Sequence, residues 1–325
     1  MLNYLLAIIG GFVFLVWGAD RFVVGAAATA RNLGVSPLII GLTIVGFGTS
    51  APEMLVSGVA AWEGNPGLAV GNAIGSNITN IALILGLTAL ITPLAVNSRM
   101  LKRELPILTA AMLAGLALLL DGELSRLDGT LLLTGLLAMV IWMVRTSLKD
   151  RDSDPLGTEF SEEIPTDMPM GRALFWVGAG LLVLLLSSRL LVWGAVEIAQ
   201  ALGVSDLIIG LTIVALGTSL PELAASVVSA LKGEPDIAIG NVIGSNLFNL
   251  LAVLGIPGVL SPLLIDSAVL TRDYPVMIGL TVAFFLMAYG FRCPGRINRV
   301  EGGFLLACYV GYQTLLYFST LGGTV

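Results

Sequence analysis

The chain has 325 residues, of which 56% are hydrophobic and 12% charged, and its mean hydropathy is +0.95. A soluble domain carries about a quarter charged residues, so this composition excludes an ordinary soluble protein and indicates an integral membrane protein. The net charge of −6 excludes a nucleic-acid footprint, and the lack of histidine, with only two cysteines, excludes His/Cys metal sites and a disulfide framework.

Apolar segments of about 20 residues, the length that crosses a bilayer, recur along the whole chain. They predict ten membrane spans, near residues 3–30, 36–62, 67–93, 105–121, 127–146, 172–200, 205–231, 236–263, 274–291 and 301–320. Charged side chains lie late in the first and sixth spans, at Asp20, Arg21, Arg189 and Glu197. We interpret Asp20 and Arg21 as paired or reaching toward the interface, with a part in gating as the alternative.

The second span contains the sequence GFGTSAPE, which carries Glu53 in the middle of an apolar segment. An ionisable residue at that depth is expensive and marks an ion or proton pathway. Thr49 and Ser50 precede Glu53 by four and three residues, so on a helix the three side chains share one face. Pro52 has no N–H for the carbonyl of Gly48. We therefore expect a broken helix with free carbonyl oxygens beside the carboxylate.

The third span contains GNAIGSNITN, in which Asn72, Ser76 and Asn80 follow one another at intervals of four residues. This spacing places the three side chains on one helix face, and Gly75 predicts a kink between them. Asn72 has two interpretations, an ion ligand or a hydrogen bond across packed membrane helices. Asn77 has the same two interpretations.

Residues 147–171 form a hydrophilic stretch with seven acidic residues and three prolines. This composition predicts a linker between two membrane halves that is too short for a regulatory domain. We therefore divide the chain into a first five-helix repeat at 1–146, the linker at 147–171, and a second five-helix repeat at 172–325.

The second half repeats both polar motifs at a constant displacement of 169 residues. Leu33–Glu53 recurs as Leu202–Glu222 with 17 of 21 positions identical, and Ala69–Asn80 recurs as Ala238–Asn249. The second copies of the polar residues are Thr218, Ser219, Glu222, Asn241, Ser245, Asn246 and Asn249, with Gly244 in the place of Gly75. Two copies of a polar segment broken by Gly and Pro indicate a binding site shared between halves, as in secondary transporters.

Each half contains five predicted spans, an odd number, so the second copy has to insert with the opposite orientation. The basic residues agree: given ten spans, twelve lie in loops on one side, and Arg126 and Arg272 lie on the other. The twelve are Arg31, Arg99, Lys102, Arg103, Arg145, Lys149, Arg151, Arg172, Lys232, Arg292, Arg296 and Arg299. The positive-inside rule predicts a cytoplasmic linker and both termini outside, in a multi-pass protein of the cell (inner) membrane.

The repeated polar groups are all hard oxygen donors, and two of them are carboxylates. Such donors suit Na⁺, Ca²⁺ or H⁺, whereas softer metals prefer sulfur and imidazole. Two glutamates balance one Ca²⁺ or several Na⁺ but not both at once, and competition for one set of carboxylates is what coupled exchange requires. The alternative for Glu53 and Glu222 is a structural role, each buried as a neutral acid bonded to a neighbouring helix.

The paired motifs GTSAPE…GNAIGSNITN and GTSLPE…GNVIGSNLFN resemble the two α-repeats of the sodium/calcium exchanger family within the cation/Ca²⁺ antiporters. The resemblance covers all ten predicted spans and implies an all-α integral membrane protein with ten transmembrane helices in two inverted five-helix repeats. It implies that helices 2, 3, 7 and 8 form the ion site and that helices 1 and 6 slide across them. The ion ligands that it implies are Glu53, Glu222, Thr49, Ser50, Thr218, Ser219, Ser76, Asn80, Ser245, Asn249 and the backbone carbonyls of Gly46 and Ala215.

The resemblance predicts a Na⁺/Ca²⁺ antiporter of the prokaryotic type, because the linker lacks Ca²⁺-sensing domains. Some members, potassium-dependent ones included, carry Asp at the position of Asn249, so the Asn here argues against K⁺ co-transport. The expected ligands are the transported Ca²⁺ and Na⁺, in a lipid bilayer. No enzyme activity, resident cofactor, nucleic acid or protein partner is expected.

Two other functions are compatible with these residues. An H⁺/Ca²⁺ antiporter is the main alternative, because a buried glutamate pair can carry protons. A cation channel uses similar oxygens, but channel filters usually come from rings of several subunits, and this chain has two repeats without a charged ring.

Overall fold

The computed structural model describes residues 2–35, 37–64, 66–96, 103–150, 168–202, 215–289 and 295–322, and these are almost entirely helical. In the first half the helices are α1 (Leu2–Leu33), α2 (Pro37–Ile40), α3 (Gly46–Thr49), α4 (Ala51–Trp62), α5 (Pro66–Thr79), α6 (Gly86–Ile91), α7 (Glu104–Leu119) and α8 (Arg126–Asp150). Two wider π-helical segments, π1 (Gly41–Val45) and π2 (Asn80–Leu85), join α2 to α3 and α5 to α6.

The second half follows the same order. Its helices are α9 (Met170–Ala201), α10 (Ala215–Thr218), α11 (Leu220–Leu231), α12 (Pro235–Phe248), α13 (Gly255–Leu260), α14 (Tyr274–Tyr289) and α15 (Arg299–Gly322). The π-helical segments are π3 (Asn249–Val253), between α12 and α13, and π4 (Val269–Asp273), before α14. Residues 203–214, the counterparts of 34–45, lie outside the described part of the chain.

Six of the described helices are long and apolar enough to cross a membrane. They are Leu2–Leu33, Gly67–Ile91, Arg126–Met143, Met170–Ile198, Pro235–Leu260 and Val269–Tyr289, and the bent segment from Gly41 to Trp62 makes a seventh if it is one span. Helices at Glu104–Leu119, Leu220–Leu231 and Arg299–Gly322 occupy the other predicted spans. The chain is therefore an all-helical membrane protein, and the count of ten spans stays a prediction.

The two longest helices, α1 and α9, pack against each other. Glycines allow their backbones to approach: a Cβ on Gly25 would lie 2.7 Å from the nitrogen of Val177, and one on Gly180 would lie 2.5 Å from the nitrogen of Phe22. At 1.5 Å per residue each helix is about 48 Å long, so it has to tilt to fit a hydrocarbon core of about 30 Å. We call these two helices the α1–α9 pair.

The centre of the molecule is formed by the helices that carry the asparagine motifs. Every residue from Ile237 to Phe248 of α12 is buried. A Cβ on Gly244 would overlap the carbonyl oxygen of Leu42, so this glycine lets π1 pack directly on α12. α5 and α12 run uninterrupted through Gly75 and Gly244, and helix geometry changes instead where the π-helical segments begin.

Two short antiparallel ladders connect the halves. β1 (Leu94–Ala95) pairs with β4 (Arg296–Ile297), and β2 (Glu123–Leu124) pairs with β3 (Leu263–Leu264). Each ladder joins a loop of the first half to a loop of the second. Helix α8 continues to Asp150 and α9 begins at Met170, so helix enters the predicted linker from both ends, while residues 151–167 lie outside the described chain.

Candidate cation site

The glutamates occupy equivalent helix breaks. In the first half α3 ends at Thr49, Ser50 leaves the helical conformation with φ −82° and ψ 2°, and α4 begins at Ala51, bent by 47°. In the second half Ser219, with φ −90° and ψ 5°, separates α10 from α11. Pro52 and Pro221, each two residues after the serine, have no N–H to donate to the preceding turn, and this is the physical reason for the breaks. The predicted broken helix is confirmed at Ser50, and its counterpart is present at Ser219.

Glu53 and Glu222 each lie in the first turn of the helix that follows the break, and each is 1% exposed. The N-terminal end of a helix carries partial positive charge and favours a carboxylate there. Neither Ser50 nor Ser219 uses its hydroxyl to cap its helix. The Ser50 hydroxyl donates instead to Oε1 of Glu222, at 3.3 Å.

A second group of oxygens surrounds Thr49. Its hydroxyl lies 3.0 Å from the carbonyl oxygen of Val45, 3.0 Å from Oδ1 of Asn241 and 3.4 Å from the hydroxyl of Ser245. The Ser245 hydroxyl also lies 3.5 Å from the carbonyl oxygen of Gly46. Ligands predicted from both repeats, Thr49, Gly46 and Ser245, are thus brought together.

The asparagines stand where the π-helical segments begin. Asn80 opens π2 and Asn249 opens π3, and each is 1% exposed. The amide nitrogen of Asn80 donates to Oδ1 of Asn246 at 3.0 Å, across the repeats. π-helical segments are frequent at functional sites because their wider turn re-aims side chains and carbonyls. The π-helical segments were not predictable from the sequence, since they lie within unbroken apolar runs.

Several buried oxygens of this site have no hydrogen-bond partner among the described residues. They are Oε2 of Glu53, Oε2 of Glu222 and Oδ1 of Asn80 and Asn249, and the amide nitrogen of Asn249 is likewise without a partner there. A buried polar atom without a partner is costly in a protein interior. Oxygens of this type are what a dehydrated Na⁺ or Ca²⁺ requires, so the donor set fits a hard cation.

The remaining predicted ligands are less closely tied to the carboxylates. Ser76 and Ser219 are buried, but within the described chain neither donates to Glu53 or Glu222. Thr218 is half-buried at the end of α10. The backbone of Ala215 begins α10, and its side chain lies outside the described part of the structure.

The structure adds a pair of serines that the sequence interpretation missed. The amide nitrogen of Asn72 donates to the carbonyl oxygen of Glu53 at 3.2 Å and to the Ser57 hydroxyl at 3.1 Å. The equivalent amide of Asn241 donates to the carbonyl oxygen of Glu222 at 3.1 Å and to Ser226 at 2.9 Å. The sequence does contain a pattern that could have predicted these serines. Ser57 and Ser226 are 169 residues apart, and each follows its glutamate by four residues.

These contacts define what the arrangement can do chemically. The charge comes from two carboxylates, since the described residues contain no group of three or more His, Cys, Asp and Glu side chains able to hold a metal. All other donors are neutral hydroxyl, amide and carbonyl oxygens. The site therefore suits reversible binding of a hard cation and lacks the imidazole and thiolate ligands of a zinc or copper centre.

Comparison with known proteins gives a consistent result. The family model described as "Sodium/calcium exchanger protein" matches residues 3–145 and 172–318. A protein of Alkalimonas amylolytica named "Putative antiporter CaxA" is 52% identical over 319 residues, which cover 98% of this chain and 100% of that protein. The sodium/calcium exchanger MaX1 of Methanosarcina acetivorans is 31% identical over 350 residues, which cover 97% of this chain and 99% of that protein.

The fold is also similar to solved structures. A structure of the sodium-calcium exchanger NCX_Mj soaked with Na⁺ and Sr²⁺ matches with a TM-score of 0.81 at 33% sequence identity. The match covers 95% of this chain and 97% of the other.

Proposed function

The chain belongs to the sodium/calcium exchanger protein family, and on that premise we propose that it exchanges Na⁺ for Ca²⁺ by alternating access to the cation site. The family consists of ion transporters, so the chain is a membrane transporter and not an enzyme. The proposal concerns which ions it exchanges, through which residues, and in which orientation.

The observation that carries the proposal is the pair of buried glutamates at equivalent helix breaks. Glu53 and Glu222 are both 1% exposed, and the described chain offers no partner to one oxygen of each. An unpaired ionised carboxylate in such surroundings is strongly unfavourable, so a cation or a proton has to compensate it. Six to eight oxygens coordinate Ca²⁺, a number that the surrounding hydroxyls, amides and carbonyls can supply.

We assign the ion ligands to the two glutamates and the oxygens around them. They are Glu53, Glu222, Thr49, Ser50, Thr218, Ser219, Ser76, Asn80, Ser245, Asn249 and the carbonyls of Gly46 and Ala215. The contacts that link Ser50 to Glu222 and Thr49 to Ser245 support this set for four of the side chains.

Charge balance explains why one site serves both ions. Two carboxylates neutralise one Ca²⁺ or two Na⁺, so the two ions compete for the site. A change of access with the site empty is unfavourable, because both buried carboxylates would then lack a compensating charge. Binding of one ion from each side in turn then couples the two fluxes. No resident cofactor or protein partner takes part in this cycle.

The repeats define how the site is exposed to each side. We propose two inverted repeats, 1–146 and 172–325, with the 147–171 linker in the cytoplasm, both termini outside and ten spans. The excess of basic residues in the loops assigned to the cytoplasm supports this orientation. Inverted repeats that share a midplane site supply the two related conformations that alternating access needs.

H⁺/Ca²⁺ exchange is the second candidate. The complete burial of both glutamates favours it, because burial penalises a charged carboxylate and favours its protonated form. Two protons, one on each carboxyl group, would then take the place of the Na⁺ ions in the cycle.

The experiment that tests the proposal is ⁴⁵Ca²⁺ uptake into proteoliposomes that contain the purified chain. With Na⁺ inside and none outside, we expect uptake that collapses when the Na⁺ gradient is removed at constant pH. Protein-free liposomes and the variant Glu222→Gln provide the matched controls. Uptake that follows an imposed pH gradient without Na⁺ would establish proton coupling instead, and uptake indifferent to both gradients would indicate a channel.

A further inference from the structure

An ion pair ties the α1–α9 pair to the end of α11. Lys232, in the turn after α11, places its Nζ 2.7 Å from Oδ1 of Asp20 on α1. Arg21 lies 3.7 Å from the other oxygen of Asp20, and its guanidinium stands 5.2 Å from the ring centre of Trp176 on α9. The Asp20–Lys232 pair therefore bridges from the α1–α9 pair to the helix that carries Glu222.

The internal repeat contains a second pair with both charges reversed. A displacement of 169 residues converts Asp20 into Arg189 and Lys232 into Glu63. The two turns are equivalent in structure as well, because Gly64 and Gly233, which follow Glu63 and Lys232, both have positive φ angles, +80° and +75°. At both positions the first repeat thus carries the acid and the second repeat the base, so each pair joins an acid of the first repeat to a base of the second.

The two charge pairs are in different states. Arg189 and Glu63 are both exposed, and among the described residues neither has an ion pair within 4.0 Å. The Asp20–Lys232 pair is closed and the Glu63–Arg189 pair is open. The structure is therefore asymmetric about its own repeat.

The same asymmetry holds for the apolar packing beneath the ion pairs. Ala225 of α11 is fully buried in a cluster with Ala19 and Phe22 of α1. The counterpart of Ala225 on α4 is Val56, which is 38% exposed, and its neighbour Leu55 is 58% exposed. α1 covers α11, whereas α9 does not cover the equivalent face of α4 among the described residues.

A cavity of about 460 Å³ lies along that uncovered face. Its lining includes Ile256 of α13 and, from α4 and the turn after it, Ala51, Leu55, Val59, Trp62 and Glu63. Each of these last five is the repeat counterpart of a residue at or beside the covered α11 surface, where Leu220, Ala224 and Val228 pack against the buried cluster. The open space thus ends at the unpaired acid of the second charge pair.

We propose that Asp20–Lys232 and Glu63–Arg189 are alternating latches, each closed in one of the two access states. The proposal rests on the proposed transport cycle. When the α1–α9 pair moves from α11 to α4, α9 covers Val56 and Leu55, Asp20 separates from Lys232, and Arg189 reaches Glu63. Inverted repeats exchange roles between access states, so a contact made by one half in one state is made by the other half in the other state.

Cysteine cross-linking of the full-length chain tests this exchange. Cys293 and Cys308 are first replaced by alanine, and a protease site is placed within residues 151–167 so that only a cross-linked chain stays intact on a non-reducing gel. One variant combines Asp20→Cys with Lys232→Cys, a second combines Glu63→Cys with Arg189→Cys, and a third carries all four. The four single-cysteine variants are the matched controls.

We expect both double variants to cross-link with a short bifunctional thiol reagent, in proportions that change in opposite directions between Na⁺ and Ca²⁺. We expect the four-cysteine variant to form either link but never both in one molecule. A Glu63–Arg189 link that fails to form under every ionic condition, or both links in the same molecule, would overturn the proposal. Cross-linking requires no flux, so links that alternate in a chain without Na⁺/Ca²⁺ exchange would support the latches and overturn the proposed function.

A charge exchange provides a functional readout. Asp20→Lys alone places two cations together, and we expect exchange to fall about tenfold as the latched state loses population. The combination with Lys232→Asp restores opposite charges and should return exchange close to the original rate. Failure of the second substitution to rescue the first, with both variants normally folded, would contradict a latch at this pair.

Discussion

The hydroxyl of Ser50 donates a 3.3 Å hydrogen bond to Oε1 of Glu222. Ser50 stands three residues before Glu53 in the first repeat, whereas Glu222 belongs to the second, so the two helix breaks meet face to face. The Ser50 hydroxyl, which belongs to the same helix break as Glu53, thereby positions the carboxylate of Glu222 in the other repeat. A change of charge at either glutamate should therefore affect the whole site.

The first prediction concerns the carboxylates. Glu53→Gln and Glu222→Gln should each leave the fold intact and abolish Ca²⁺ transport. Loss of one charge from a buried divalent site costs roughly 3–5 kcal/mol, which corresponds to about 100-fold or more in affinity. The measurement is ⁴⁵Ca²⁺ uptake in proteoliposomes, with Glu123→Gln, at an exposed glutamate of β2, as the control. If both single variants exchange at the original rate, the site is elsewhere.

The second prediction concerns Asn241. Its amide group holds the backbone of Glu222, the Ser226 hydroxyl and the Thr49 hydroxyl. Asn241→Ala should lower the apparent Ca²⁺ affinity about tenfold, or about 1.4 kcal/mol, because it releases the turn that aims Glu222. Asn72→Ala removes two contacts at a half-buried position and should have a smaller effect. The apparent Ca²⁺ affinity of each variant is measured by a Ca²⁺ titration of uptake. Equal affinities in the two variants would argue against a positioning role for Asn241.

The third prediction concerns close packing at the centre. Gly244→Ala would drive a Cβ into the carbonyl oxygen of Leu42, with the carbonyl carbon and Cα of Leu42 both 2.9 Å away. Overpacking of this kind costs about 1–3 kcal/mol, so the thermal midpoint of the detergent-purified variant should fall. The control is Gly279→Ala on α14, where a Cβ meets nothing within 4 Å and a helical alanine is favourable. Similar midpoints for the two variants would mean that π1 and α12 separate easily.

The fourth prediction concerns orientation. After Cys293 and Cys308 are replaced by alanine, Ser161→Cys should react with an impermeant thiol reagent only from the cytoplasmic side. Thr320→Cys should react only from outside, because ten spans and the distribution of basic residues place the linker and the termini on opposite sides. Labelling of intact and inverted membrane vesicles distinguishes the sides. The reverse pattern would overturn the orientation, and labelling of both from one side would overturn the parity of the spans.

The last prediction concerns voltage. The family resemblance implies three Na⁺ for each Ca²⁺, and since Asn80 and Asn249 are both uncharged, a third Na⁺ leaves the loaded site with one excess positive charge. Each cycle should then move one net charge, worth about 2.3 kcal/mol per 100 mV. Ca²⁺ flux at a fixed Na⁺ gradient should therefore respond to a potential clamped with K⁺ and valinomycin. Flux that ignores the potential would indicate an electroneutral cycle of two Na⁺ or two H⁺ per Ca²⁺.

The sequence by itself determined the class of protein, the repeat and the position of the carboxylates. Composition excluded a soluble fold, because 12% charged residues cannot cover a soluble surface. The broken helix at Ser50 was predictable because Pro52 removes a backbone donor, which is a local property of the chain. The duplicated Thr-Ser-x-Pro-Glu motif predicted Glu53 and Glu222 as the central ion ligands. A charged side chain inside a bilayer is costly in any fold, so the motif could be interpreted without the structure.

The tertiary structure decided how those residues meet. The contacts Ser50–Glu222, Thr49–Asn241 and Asn80–Asn246 join positions 166 to 192 residues apart, and no local pattern specifies such distances. The π-helical turns at Asn80 and Asn249 likewise depend on packing between helices, as does Gly244, which serves close approach to Leu42 where the sequence predicted a kink. The closed Asp20–Lys232 pair and the open Glu63–Arg189 pair have equivalent places in the repeat and different surroundings. A sequence repeat fixes only the possible contacts, and the packing of the α1–α9 pair against one half selects which of them form.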